Sequence, residues 1–414
     1  MKILVVSCVY PPEPVVSAQT SLHIVQTLSS IGHNVTVVTS FPNRPAGKLY
    51  PGYKRWFVRR YSSQSEGTII RCFSSLSAKS SMISRLLENL SFGLTSGLKV
   101  LTISRPDVIY ANTWPIFATG ILCLVTKMRR IPLIISLQDV YPESLLVQNR
   151  IREDGLLTRL LYRIDAVIAH NCQYIIAISE RIQKIYCKHR KVSSNRIKLI
   201  PNWIDSDNFV RNIDLKVCRR KIDIHENDFL IVYGGNIGVA AGVESVIEAM
   251  EFLSDEPDIQ LLIAGSGSRM GACKQLSSKI RNNHVHFFSP WDSAKNPEII
   301  MIADLLILPM QGKQSLTALP SKLLSYMLAG HPILATATPE SDLAATLNKA
   351  KCGWIVTPER PDLLAIQIKK IMRMDVEERQ LIGINGRSFV LKNLSKNECL
   401  PEMISIIEDT AHKN

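Results

Sequence analysis

Lys322 and Asp139 head the residues whose types and settings could do chemistry. Lys322 lies in SLTALPSKLLSYMLAGHPILA (Ser315 to Ala335), where a polar loop gives way to Leu323, Leu324, Met327 and Leu328 at helical spacing, and Gly330 ends the run. Pro320 suits a first helical turn. Ser321 and Lys322 are therefore expected where free backbone N–H groups and the positive end of the helix dipole attract an anion. Two glycine loops, GGNIGVAAG and GSGS, follow apolar strands. Their Gly234, Gly235, Asn236 and Gly238, and Gly265, Ser266 and Gly267, would let a phosphate come close to the backbone. Neither loop is a strict GxGxxG, and no acid ends a following strand to read a ribose. Three strand-end anion sites in one half of the chain favour a nucleotide diphosphate. Elsewhere, Asp139 and Glu143 bracket QDVYPES at the end of a strand, where a carboxylate can orient or deprotonate a hydroxyl or stabilise a developing positive charge.

The elements that must position these residues follow one grammar, used twice. KILVVSCV, NVTVVTS, DVIYAN, PLIISLQD and YIIAIS are short apolar strands separated by helical stretches, and FLIVYGGNIG, IQLLIAGSGS and ADLLILPM restart the pattern after IKLIPNWIDSDNF (Ile197 to Phe209). Such alternation predicts two doubly wound parallel sheets, residues 1–203 and 204–394, with ligands beyond the carboxyl ends of the strands and a cleft between the domains as the default active site. The uncharged run Val108 to Thr126 is long enough to raise a transmembrane question, but Asn112, Pro115 and the strand-like DVIYAN argue for a strand plus a core helix.

With 46% hydrophobic and 21% charged residues, the 414-residue chain has the composition of a soluble globular protein. Its start, MKILVVSCVYPPEP, has no small-residue cleavage site and is expected to be the first strand of a cytoplasmic protein. Nine cysteines without a CxxC pair fit reduced, mostly buried thiols, and no His or Cys pair has a partner pair at zinc spacing. DSD (Asp205 to Asp207) invites a divalent metal, but its place in the interdomain turn argues against one. The net charge of +13 is lopsided: residues 1–200 hold 26 basic and 10 acidic side chains, the remainder 23 and 26. One half thus seeks an anionic surface, nucleic acid or the cytoplasmic leaflet of a membrane.

With PPEP, GHNVTVVTSFPNRPAGKLYPGY (Gly32 to Tyr53), QDVYPES, PNWID, YGGNIG and PSKLLSYMLAGHPILA in order, the chain resembles the retaining GT-B glycosyltransferases of family 4 over nearly its whole length. The resemblance is strongest to the bacterial branch that builds O-antigen, capsule and exopolysaccharide. It implies an α/β fold of two Rossmann-like domains facing across a cleft. It also implies an acceptor-binding, membrane-facing N-terminal domain, a nucleotide-sugar-binding C-terminal domain, and a last helix (residues 395–414) that returns to the first. The donor would be a UDP-sugar first and a GDP-sugar next, its base against the backbone of HFFSPW (His286 to Trp291). The acceptor would be a polyprenyl-diphosphate-linked saccharide, and no divalent metal or other cofactor would be required. Carried onto this chain, the donor site is the two glycine loops with Thr317, Pro320, Ser321, Lys322 and Ser325; the acceptor site is Pro12, Gln138, Asp139 and Glu143. The family's frequent Glu-x7-Glu pair falls at Thr317 and Ser325, its Arg and Lys at Asn236 and Ala241, and its active-site His at Gln138, so those groups are missing. Lys322 is expected to stabilise the leaving diphosphate instead.

YPGYKRWFVRRY (Tyr50 to Tyr61) interleaves aromatics with Lys54, Arg55, Arg59 and Arg60, and with Trp56 and Phe57 it suits a membrane interface. Ser84 to Leu101 could equally lay an apolar face on lipid or pack on the sheet. A peripheral protein on the inner face of the cell membrane is expected. The competing expectations are a basic nucleic-acid binder, a sugar epimerase of similar architecture, and a non-catalytic GT-B partner subunit.

Overall fold

The computed structural model describes every residue except 45–46, 64, 78–80, 114–115, 207–214, 221, 223, 282–283, 292–296, 317–318 and 414. It divides into two compact units, Met1–Trp203 with Cys399–Asn414, and Ile204–Glu398.

The first unit opens with β1 (Lys2–Ser7), α1 (Val16–Ser30), β2 (Asn34–Ser40), β3 (Val58–Ser63) and β4 (Gly67–Cys72). Next come α2 (Met82–Thr102), β5 (Val108–Thr113), α3 (Ile116–Arg129), β6 (Leu133–Leu137) and the short α4 (Glu143–Val147). It continues through α5 (Leu156–Asn171), β7 (Tyr174–Ala177), α6 (Glu180–His189) and β8 (Ile197–Leu199). The sheet order is β3-β4-β2-β1-β5-β6-β7-β8, parallel but for β3. Strand alternation sorts the core into two faces. Leu4, Val6 and Cys8 join Phe92 of α2, Leu122 of α3 and Leu161 of α5, whereas Ile3 and Val5 join Ile24 of α1. The uncharged run at 108–126 resolves into β5 and α3, and among the described residues no helix is long and apolar enough to cross a membrane.

The second unit holds α7 (Leu215–Arg220), β9 (Phe229–Gly234), α8 (Val243–Glu251), β10 (Ile259–Ala264), α9 (Met270–Ser277), β11 (Val285–Phe288), α10 (Glu298–Met301) and β12 (Leu305–Leu308). It continues with α11 (Lys322–Ala329), β13 (Ile333–Thr336), α12 (Asp342–Ala350), β14 (Gly353–Val356), α13 (Pro361–Met372) and α14 (Val376–Asn393). Its sheet, β11-β10-β9-β12-β13-β14, is wholly parallel. Strand order reverses between β9 and β12, the place where a doubly wound sheet offers a crevice to a ligand. The last helix, α15 (Lys396–His412), starts beside Ile204 of the second unit but buries Leu400, Met403, Ile404 and Ile407 in the core of the first.

Candidate functional site

In the second unit the expected donor residues gather at the switch point. Gly234 ends β9, Gly265 follows β10, and Lys322 opens α11. Pro320 and Ser321 lie just ahead of the helix rather than in its first turn, with Ser321 at the cap position but making no side-chain cap. Leu323 N–H is closed onto the Pro320 carbonyl, and Ser325 Oγ donates back to the Lys322 carbonyl at 2.8 Å. Thr317 lies outside the described residues.

The glycines are needed for a reason other than phosphate approach. A Cβ on Gly265 would meet the Gly235 carbonyl oxygen at 1.9 Å, and one on Gly267 the Ile237 oxygen at 2.2 Å, so the two loops are stacked backbone on backbone. At Gly234 a Cβ would strike the Trp291 ring at 2.6 Å. The stacking also occupies donors. Gly235 N–H donates to Ala264, Ile237 to Ser266 and Gly265 to Phe288, and Gly234 N–H donates to the Tyr326 hydroxyl at 2.6 Å. Among the described residues the amides of Asn236, Gly238, Ser266 and Gly267 have no acceptor, so these remain for an anion.

Lys322 lies over the first loop. A Cβ on Gly235, whose φ is +152°, would meet its ammonium at 2.7 Å. The ammonium donates to the Tyr233 hydroxyl at 2.5 Å and sits 4.1 Å from that ring's centroid, while the Tyr233 hydroxyl donates in turn to the Asn236 carbonyl. No carboxylate among the described residues pairs with Lys322, and burial lowers its pKa to about 8. A half-buried cation with only a hydroxyl and a ring for company among the described residues has the chemistry to pair with an anion.

The first unit has the opposite character. Gln138 and Asp139 follow β6. Gln138 accepts from Asn202 at 2.8 Å and donates to Ser136. Asp139 accepts from the Val140 amide at 2.8 Å, and burial pushes its pKa up to about 6. It lines a cavity of about 20 Å³, the size of one water, with Tyr141, Asp165 and Tyr186. Glu143, expected at the acceptor, is instead gripped through both oxygens by Arg190 at 2.5 and 2.7 Å. Arg190 also binds Asp165 at 2.7 Å, and Asp165 accepts from Tyr186. Among the described residues this leaves Asp139 as the carboxylate of QDVYPES without a cationic partner. Pro12 is exposed after β1, but its neighbour Glu13 is buried and accepts from the amides of Tyr10, Asn43 and Arg44. Lys54, Arg55, Trp56, Phe57, Arg59 and Arg60 are all exposed, Arg59 stacked near Trp56. Asp205 pairs with Lys396, Asp207 lies outside the described residues, and among the described residues no three His, Cys, Asp or Glu side chains cluster as metal ligands.

Tyr233, Tyr326 and Arg190 were not anticipated, and Trp291 was expected only through the backbone of HFFSPW. Each reads locally as a core aromatic or a surface base, and its role depends on a partner far along the chain.

Two family models match these two halves: Glycosyltransferase Family 4 over residues 18–208 and Glycosyl transferases group 1 over residues 216–389. The chain belongs to the family 4 glycosyltransferases of the GT-B fold. Its relatives include a protein of Escherichia coli (strain K12) described as "Putative colanic acid biosynthesis glycosyl transferase WcaI", 24% identical over 98% of this chain and 100% of that one. Among solved structures, the sucrose-phosphate synthase of Thermosynechococcus elongatus superposes with a TM-score of 0.77 at 15% identity, covering 100% of both chains. The Anabaena protein HepE, solved in complex with UDP, gives 0.72 at 16% identity, again over 100% of both chains. This glycosyltransferase therefore carries its family's fold, with Lys322 set over the glycine loops at the switch point of its second sheet.

Proposed function

We propose that this glycosyltransferase moves a sugar, with retention, from a nucleotide diphosphate donor to a lipid-linked saccharide in surface polysaccharide synthesis. UDP-sugars are favoured and GDP-sugars come next. The observation that carries this is Lys322: a half-buried ammonium that has no counter-anion among the described residues, beside four amides that have no acceptor among them, at the switch point of a doubly wound sheet. The likeness to HepE, solved with UDP, and to the WcaI relative supports the donor class and the pathway.

In the transfer the bond from the anomeric carbon to the diphosphate oxygen breaks and the acceptor oxygen attacks the same face. Charge develops on the departing diphosphate, where Lys322 and the amides of Asn236, Gly238, Ser266 and Gly267 meet it. Asp139, ionised above a pKa of about 6, orients the acceptor hydroxyl; the proton leaves with the departing phosphate. No divalent metal enters these steps.

Thermal unfolding with UDP and with GDP tests the donor side, with Lys322→Met as control. A clear upward shift with UDP, lost in the variant, is expected. A folded protein that responds to neither nucleotide would overturn the reading and favour a non-catalytic GT-B subunit.

A further inference from the structure

The first sheet loses its apolar face toward the amino ends of its strands. Residues paired across neighbouring strands share a face. Val6 pairs with Val38 and Val38 with Ile70, and all three are buried in the core on the α2 side. Earlier on that same side, Leu4 pairs with Thr36, Thr36 with Thr68, and Lys2 with Asn34, while Arg60 of β3 stands opposite Ile70. In a parallel sheet covered on both sides such positions normally carry valine, isoleucine or leucine. Here the polar side chains open into a cavity of about 280 Å³. Leu4 and Ile70 bound it on the sheet side, and Lys99 of α2 with Ile103 and Ser104 just after the helix bound it on the other.

The charge in this cavity is of one sign. Lys2, Arg60 and Lys99 reach it from three different elements, and no Asp or Glu lines it. Among the described residues none of the three pairs with a carboxylate: Arg60 donates to the Thr68 hydroxyl at 3.1 Å, and the ammonium groups of Lys2 and Lys99 have no acceptor. Two acids lie close along the chain, and both are turned to other partners. Asp107 accepts from the Lys2 amide at 2.7 Å, and Glu66 accepts from Tyr10 at 2.7 Å. Like charges around one recess repel, and an anion between them relieves the repulsion. A guanidinium offers a fork for two phosphate oxygens, two ammonium groups add point charge, and Asn34, Thr36 and Ser104 supply amide and hydroxyl groups for further oxygens. No aromatic side chain among the described residues lines the cavity to stack a base, so the chemistry favours a compact phosphorylated molecule over a nucleotide.

We propose that this cavity, at the amino ends of β1, β2 and β4, binds a small soluble phosphorylated molecule at a site separate from Asp139 and from the donor loops. Calorimetric titration of the full chain with inorganic pyrophosphate tests it, in the wild type and in a Lys322→Met background that weakens the donor loops. In that background pyrophosphate should still bind. Adding Arg60→Met with Lys99→Met should weaken binding about tenfold or more, through lost charge-assisted hydrogen bonds. Lys127→Met with Lys188→Met removes the same net charge from exposed positions outside the cavity and should change affinity by no more than about twofold. Arg60 is exposed and Lys99 half-buried, so an unchanged unfolding temperature certifies the fold of the variant. Equal weakening by both pairs would reduce the effect to net charge and overturn the proposal. So would binding that Lys322→Met alone abolishes, no pyrophosphate binding by the folded wild type, or a chain that takes phosphatidylglycerol vesicles but not pyrophosphate. The UDP shift is read separately, so the donor reading stands or falls without this site.

Discussion

The strand ends of the two units handle buried charge in opposite ways. In the first, Arg190 is locked between Glu143 and Asp165 with Tyr186 attached, and the buried Glu13 is capped by three amides. Asp139 there has an amide partner, Val140, but no cationic partner among the described residues. In the second, Lys322 has a phenol and a ring, and the surrounding glycine loops keep four amides unused. A satisfied network rigidifies a surface, whereas an unsatisfied cation stores the desolvation cost that a bound anion relieves. On the proposed function, the difference separates strand ends that serve as scaffold from strand ends that take the diphosphate.

Arg190→Met is the harshest way to break the comparison. It strands the buried Asp165 and the half-buried Glu143 and should destabilise the protein by about 3–5 kcal/mol, read from chemical unfolding, with UDP still raising the melting temperature of what remains folded. Lys322→Met removes the lone cation and should lower kcat/KM by about 10²–10³-fold with little loss of stability, because a buried charge without a counter-ion is itself unfavourable. If stability drops as far as for Arg190→Met, the two strand ends are not different in kind. Asp139→Asn should lower turnover by about 10²-fold and leave the UDP shift intact. With wild type, activity should fall below pH 6 as Asp139 takes up a proton and loses the charge that orients the acceptor. Gly235→Ala sharpens the contrast, since its Cβ would displace the Lys322 ammonium; UDP affinity should weaken about tenfold, one lost charge-assisted hydrogen bond. The smallest effect is in pH. Lys322 is protonated below about pH 8 in the free protein and held protonated by a bound diphosphate, so UDP affinity measured by calorimetry should be flat to pH 8 and decline above it.

Most of the fold was legible because short continuous apolar runs and helix-stopping glycines are local signals. Gly330 indeed closes α11 with a positive φ, and the uncharged run at 108–126 splits into strand and helix. Lys322 was legible from PSK at the head of an apolar helix. The meaning of the glycines was not: their missing side chains make room for the opposite loop and for Trp291, contacts that no spacing within GGNIG or GSGS records. Glu143 was misjudged for a similar reason, because Arg190 lies 47 residues away. Tyr326 reads as one more apolar face residue of α11, yet its hydroxyl accepts from and donates to Gly234, 92 residues earlier. The apolar periodicity of α2 fits lipid or sheet equally; the structure packs one side, with Phe92, in the core and leaves Leu94 and Leu98 of the other side exposed.

The last helix has a consequence for the order in which the molecule comes into being. Leu400, Met403, Ile404 and Ile407 complete the core beside Ile3, Val5 and Ile24, and His33 is bonded to Glu408 at 2.8 Å. A nascent chain leaving the ribosome has therefore made its first sheet long before the segment that covers one side of it exists. Until the whole second unit has been translated, α1 covers only part of that side, so this half is finished last although it is made first, and the part still bare is what a chaperone would meet.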